Sequence, residues 1–178
     1  MEAVVEMFRL VGCVRVEPPL GRGEFDYLTA FAESRRWRRP EGSYAVPDNP
    51  LAECLDPGLD VALYSIAADG QPGLECPWVP GHEGRSLVPV RAAGGGSGVP
   101  PEEVAGWLAY LRDHFLRAGA LAAAGRPEDD DGIFADFGFD HVLDGAAAVC
   151  SDRTGEVSVI RMVANHLSIE VLGSGSRR

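Results

Sequence analysis

The densest chemistry in the chain is the run Ser34-Arg35-Arg36-Trp37-Arg38-Arg39, four guanidinium groups around one indole. A guanidinium offers a planar fork of donors and stacks on rings, so arginine beside an aromatic can grip a phosphate, a carboxylate or a nucleobase. Types and spacing therefore make Arg35, Arg36, Trp37, Arg38 and Arg39 the candidate binding residues, for a protein partner or a small anionic ligand. A plainer role fits the same residues. Cations at a helix C-terminus complement its dipole, and an indole there can anchor the next loop.

A second constellation is Asp140-His141 with Asp144, which could orient an acid–base pair, while Cys76 or Cys150 could act as a nucleophile. That chemistry requires the side chains to meet in one pocket and the thiol to have a base beside it. The competing reading makes Asp140-His141 a turn at the entry to a strand. His82, His114, His141 and His166 match no compact metal-ligand spacing, so neither a metal nor a cofactor is expected. Gly94–Gly98 precedes a helix signal but has neither the glycine spacing nor the lysine of a phosphate loop, and reads as a flexible linker. Glu128–Asp131 lacks the alternation of a calcium loop and reads as a solvated acidic loop.

Composition narrows the classes further. The net charge of −11 opposes bulk binding to nucleic acid or to an anionic membrane. The charge is uneven: residues 1–40 hold seven Arg against six acids, and residues 41–178 hold nine against twenty-one. All sixteen basic residues are arginine, which excludes Schiff-base catalysis through lysine. Cys13, Cys54, Cys76 and Cys150 are too widely spaced for a disulfide framework or a Cys-x-x-Cys pair, and fit buried thiols in a reducing cytoplasm. Leu10-Val11-Gly12-Cys13 has the outline of a lipoprotein box, but Glu2, Glu6 and Arg9 interrupt the apolar stretch before it. No apolar run is long enough to span a membrane.

The elements that must position these residues follow from periodicity. Residues 4–16 read as a strand ending at Pro18-Pro19, and Phe25, Leu28, Phe31 and Ala32 lay an apolar stripe on a helix over 24–35. Prolines 40, 47, 50 and 57 mark a long irregular connection. Short strands are expected at Val61–Ile66, Leu74–Val79 and Ser86–Val90, with Pro77 suited to an edge. Pro101-Glu102-Glu103 starts a second helix, and Val104, Trp107, Leu108, Leu111 and Phe115 give it one apolar face as far as Arg117. Ala146–Cys150, Glu156–Val163 and Leu167–Leu172 form a closing β-meander with turns at Gly155 and Asn165.

The expected fold is α+β: one domain over 1–172, with a disordered tail over 173–178. An antiparallel sheet carries two helices on one face, with a ferredoxin-like start and a C-terminal β-meander. An open sheet edge makes a homodimer a further expectation.

Several strings of the chain resemble a family of small uncharacterised actinobacterial and phage-encoded proteins. They are Phe25–Arg36, Gln71-Pro72-Gly73-Leu74 with Trp78, Trp107-Leu108 with His114-Phe115, Asp140–Gly145, and the hairpin around Asn165. The resemblance implies a fold and no activity, cofactor or catalytic residue. The expected function is a non-enzymatic cytoplasmic binding module, with a small Asp/His/Cys enzyme as the alternative.

Overall fold

A computed structural model of the chain describes residues 7–49, 53, 58, 61–90, 98–124 and 132–174. The first strand, β1 (Phe8–Glu17), buries Val14 and Val16 and turns Cys13 and Arg15 outward, the period of two that a one-sided sheet imposes. It stops at Pro18-Pro19. Helix α1 (Arg22–Glu33) then packs Tyr27, Leu28 and Phe31 inward.

A helical turn α2 (Val61–Tyr64), short strands β2 (Trp78–Pro80) and β3 (Ser86–Pro89), and helix α3 (Pro101–Leu111) follow. Pro101 opens α3 with Glu102 and Glu103 in the first turn, as fixed φ and the helix dipole favour. The helix runs on through a wider π turn, Arg112–Leu116, closed by the Arg117 amide donating to the Arg112 carbonyl. After the turn α4 (Leu121–Ala124) come β4 (Val142–Ser151), β5 (Glu156–Val163) and β6 (His166–Ser174).

All six strands form one sheet in the order β2-β3-β1-β4-β5-β6, with every neighbouring pair antiparallel. Read from β4 to β2, with α1 following β1 and α3 following β3, the first four strands have the ferredoxin-like order. Strands β5 and β6 extend it as a meander. This is the expected α+β fold.

The core lies between the sheet and the two long helices. Trp107, Leu108 and Leu111 from α3, Phe115 from the π turn and Phe31 from α1 are sealed from solvent with Val14, Val16, Leu143, Ile160 and Met162 from the strands. Helix α3 crosses the sheet. Near its start the Val104 carbonyl accepts from Trp78 Nε1 at 2.8 Å, and just past its end Arg112 Nη1 donates to the Asn165 carbonyl at 2.9 Å.

The long β1–β4 ladder depends on two glycines. Gly12 (φ +128°) faces Ala147, and Gly145 (φ +150°) faces Val14. A Cβ on Gly12 would stand 2.4 Å from the Ala146 carbonyl oxygen, and one on Gly145 would stand 2.5 Å from that of Cys13. Both strands take a conformation closed to side-chain-bearing residues, at which a paired sheet can bend sharply.

Two expected strands differ. Val61–Ile66 forms the turn α2 and a bend, because Val61 and Ile66 are exposed and no core face draws this apolar run into a pleat. Strand β2 pairs only from Trp78, since Pro77 has no amide to give a ladder. The stretch 91–97, the run 125–131 and residues 175–178 lie outside the described residues, so the linker, the acidic loop and most of the expected tail are not described. Gly173 and Ser174, placed in the tail by sequence, belong to β6. Among the described residues no helix is long and apolar enough to cross a membrane.

Candidate functional site

The arginine run is placed differently from its sequence reading. Helix α1 ends at Glu33 and Ser34 is its extended C-cap, so no arginine lies in the last turn to complement the dipole. The chain leaves in extended form and is held on both sides. The Arg36 amide donates to the Leu74 carbonyl, the Arg38 amide to Ile66, and the Ala68 amide to Arg36. That alternation turns Arg36 into the molecule.

Arg36 is fully buried. Its guanidinium lies 3.7 Å from the centre of the Phe31 ring and donates to Ser34 Oγ and to the carbonyls of Ala45 and Ser43. Burial, then the nearby Arg39 charge, depress its pKa to about 10. Arg39 forms a two-pronged pair with Glu53, Nε to Oε1 at 2.7 Å and Nη2 to Oε2 at 2.6 Å, and Trp37 Nε1 donates to the same carboxylate at 2.9 Å. Arg35 donates to the Tyr64 carbonyl, lies over the Tyr64 ring and stands 3.7 Å from Glu75, while Arg38 pairs with Asp69.

Of the expected binding residues, Arg36, Trp37 and Arg39 are buried internal ties, Arg35 is half-buried, and Arg38 stays exposed in its pair with Asp69. They hold the proline-rich connection and the 65–75 loop against the end of α1. The physical reason is the supply of carbonyls and carboxylates from those segments, which the sequence does not reveal.

The Asp/His/Cys constellation does not assemble. His141 and Cys150 lie nine residues apart along one extended segment, roughly 30 Å at the rise of a strand. Cys76 is buried, and burial pushes its thiol up to about 12, away from the thiolate that a nucleophile needs. His141 is buried against Glu24, with Nε2 2.9 Å from Oε1 and Nδ1 2.7 Å from the Pro18 carbonyl. Glu24 also accepts from the amides of Gly21 and Gly138. The Pro18 carbonyl and the Glu24 carboxylate are both acceptors, so this site favours the doubly protonated imidazole.

Burial opposes the charge on each partner, but the shared hydrogen bond and the added backbone partners outweigh it. The His141 pKa is raised and that of Glu24 lowered. Asp144 is likewise structural, accepting from the Ala164 amide. His114 is half-buried, stacked on Tyr110 and hydrogen-bonded to the Tyr44 hydroxyl. Among the described residues no group of three His, Cys, Asp or Glu side chains could hold a metal ion.

A separate surface feature is the edge of the sheet. On one side the edge strand β2 has three residues, is preceded by Pro77 and ends in Pro80. On the other, β6 has nine residues and contains no proline, lysine or arginine. Ala164 (φ +46°) and Asn165 (φ +66°) form a two-residue turn that pairs Val163 with His166. Such turns hydrogen-bond the flanking pair, and bonding alternates from there, so His166, Ser168 and Glu170 bond to β5. The amides and carbonyls of Leu167, Ile169 and Val171 then point away from the sheet, and among the described residues no backbone partner meets them.

The side chains of the same three residues share the helix-bearing face with Met162, Ile160 and Ser158. Helix α3 reaches this side only at the turn, so cover fades along β6: Leu167 is half-buried, Ile169 44% exposed and Val171 57% exposed. The hairpin itself is firmly rooted. Asn165 Oδ1 accepts from the Leu143 amide, and its Nδ2 donates to the His141 carbonyl.

Leu167, Ile169 and Val171 are absent from the sequence-derived candidates, although a signal exists. The meander pattern places this strand beside β5, and it lacks the proline and lysine that most often blunt an edge. No protein-family model, curated protein or solved structure matches the chain.

Proposed function

We propose that the protein is a non-enzymatic cytoplasmic interaction module that receives an extended protein strand along the open β6 edge. One observation carries this reading: the unpaired backbone groups of Leu167, Ile169 and Val171 coincide with the exposed side chains of Ile169 and Val171. An added strand would satisfy the former and cover the latter, as in β-augmentation. Among the described residues Cys13, Cys76 and Cys150 are free thiols, which supports a reducing compartment. Kinship with the small actinobacterial and phage-encoded proteins belongs to the same reading and rests on the sequence strings alone.

The test is amide exchange followed by NMR on dilute protein, with a synthetic nine-residue peptide of alternating valine and threonine as probe. Slower exchange at Leu167, Ile169 and Val171, lost when the peptide's edge-facing amides are N-methylated, supports the reading. Unchanged exchange at those three amides under saturating peptide overturns it.

A further inference from the structure

Resting on that reading, the geometry points to a second copy of this chain as the strand that β6 receives. We propose that two β6 strands pair antiparallel about a two-fold axis at Ile169, joining the sheets of two protomers into one.

The backbone restricts the choice of register. Only Leu167, Ile169 and Val171 offer outward amides and carbonyls, so each must oppose a member of the same set. A two-fold axis at Ile169 meets that condition for all three residues, whereas an axis at Ser168 or Glu170 meets it for only two. An axis at Ser168 aligns only 166–170 before the turn intervenes. An axis at Glu170 sets two carboxylates directly opposite each other, a repulsion that pairs of like charge across strands carry.

An axis at Ile169 avoids both faults. Ile169 exchanges two hydrogen bonds with its own copy, and Leu167 and Val171 of each chain pair with Val171 and Leu167 of the other. On the outer face Ser168 sits opposite Glu170, whose carboxylate is already 3.9 Å from Arg161 Nε. Glu170 is the only acid in the strand, so little of the chain's net −11 opposes pairing along the open edge. Both strands then bring Leu167, Ile169 and Val171 to the same face, and the two exposed stripes merge into one covered strip.

The experiment is sedimentation velocity over a concentration series, backed by site-directed crosslinking. The wild-type chain is expected to show a reversible monomer–dimer equilibrium. Ile169→Lys and Val171→Lys should each raise its dissociation constant by at least about tenfold, and Val11→Lys, on the opposite face of the sheet, should leave it unchanged. In a Cys13→Ser background, mild oxidation should link Ile169→Cys across the axis, where opposed Cα atoms stand about 5.5 Å apart. Ser168→Cys and Glu170→Cys, each offset from its own copy, should link poorly.

A chain that stays monomeric at all concentrations while the valine–threonine peptide still protects the β6 amides overturns the second-copy assignment and leaves the strand-accepting edge standing. A dimer indifferent to both lysine variants also overturns it. Crosslinking strongest at Glu170→Cys overturns the proposed register.

Discussion

Glu24 and His141, 117 residues apart in sequence and each 2% exposed, meet at 2.9 Å and tie the start of α1 to the entry of β4. Each is held in its charged form by the other and by backbone groups. Their linkage to stability has two limbs. The contribution of His141, whose folded pKa is raised, is complete below the unfolded value and is lost as pH rises through the folded one. That of Glu24, whose folded pKa is lowered, is complete above the unfolded value and is lost as pH falls through the folded one.

Stability should therefore be greatest between the unfolded pKa values of the two groups, about 4.3 and 6.5, and decline on either side. Removing one partner leaves the other buried and unmatched, so Glu24→Gln and His141→Gln should each cost about 3 kcal/mol. Urea titrations from pH 2 to 9 check both claims. A His141→Gln variant that keeps the wild-type alkaline limb would show that another group produces it.

Arg36 should tolerate no other cation. Lysine cannot reproduce the fork that meets Ser34 Oγ and the Ala45 and Ser43 carbonyls, so Arg36→Lys should lose about 2 kcal/mol despite keeping its charge. Arg38→Ala, which removes an exposed pair, should lose less than about 1 kcal/mol. Limited proteolysis should cut the 40–48 connection faster in Arg36→Lys than in wild type. Equal stability of the two variants would contradict the placement of Arg36 as an internal tie.

The two glycines of the β1–β4 ladder make a sharper case. Gly12→Ala and Gly145→Ala each drive a Cβ into the backbone of the facing strand at positive φ. Each should destabilise by 2 kcal/mol or more, roughly the cost of a strained backbone plus displaced ladder atoms. Gly42, also at positive φ but with open space around its Cβ direction, should lose only about 1 kcal/mol as alanine. Thermal midpoints of the three variants rank the effects.

Asn165 roots the hairpin that carries β6, by its positive φ and by the two bonds of its side chain. Asn165→Gly keeps the turn and removes the bonds, whereas Asn165→Ala loses both. Amide exchange of Leu143 should rise in each variant, and melting temperature should fall further for alanine. A glycine variant with wild-type Leu143 protection would remove the side chain from this role.

Thiol labelling distinguishes the cysteines. Cys13 is exposed on the outer face of the sheet, whereas Cys76 is sealed with its thiol pushed up to about 12. Iodoacetamide at pH 8 should modify Cys13 within minutes and Cys76 only after unfolding. Peptide mapping by mass spectrometry reads the difference. Rapid native labelling of Cys76 would place it near a base that the fold does not supply.

The fold was largely legible because its signals are local. Alternation along β1 and β4–β6, the stripe Trp107-Leu108-Leu111-Phe115, and the proline at the start of α3 each depend on neighbours within a few residues. The error at Val61–Ile66 was of the same kind, since a short apolar run has no period long enough to separate a turn of helix from a strand. The site was less legible. Whether Arg36 faces water or Phe31 depends on where residues 43–45 and 74 fold back, and whether His141 is a base or a tie depends on Glu24. The β6 edge depends on the order of strands in the sheet, which places β2 and not β1 at the opposite edge and which local pattern does not give.

The prolines around β2 limit how far strand pairing can go. A sheet that can add strands on both sides behaves as a bifunctional monomer and polymerises. With Pro77 and Pro80 beside one edge and β6 unpaired at the other among the described residues, strand pairing of the proposed kind would use one edge per chain. Pairing through β6 alone would end at a closed pair, so a long, bare strand edge could persist without opening a route to indefinite growth.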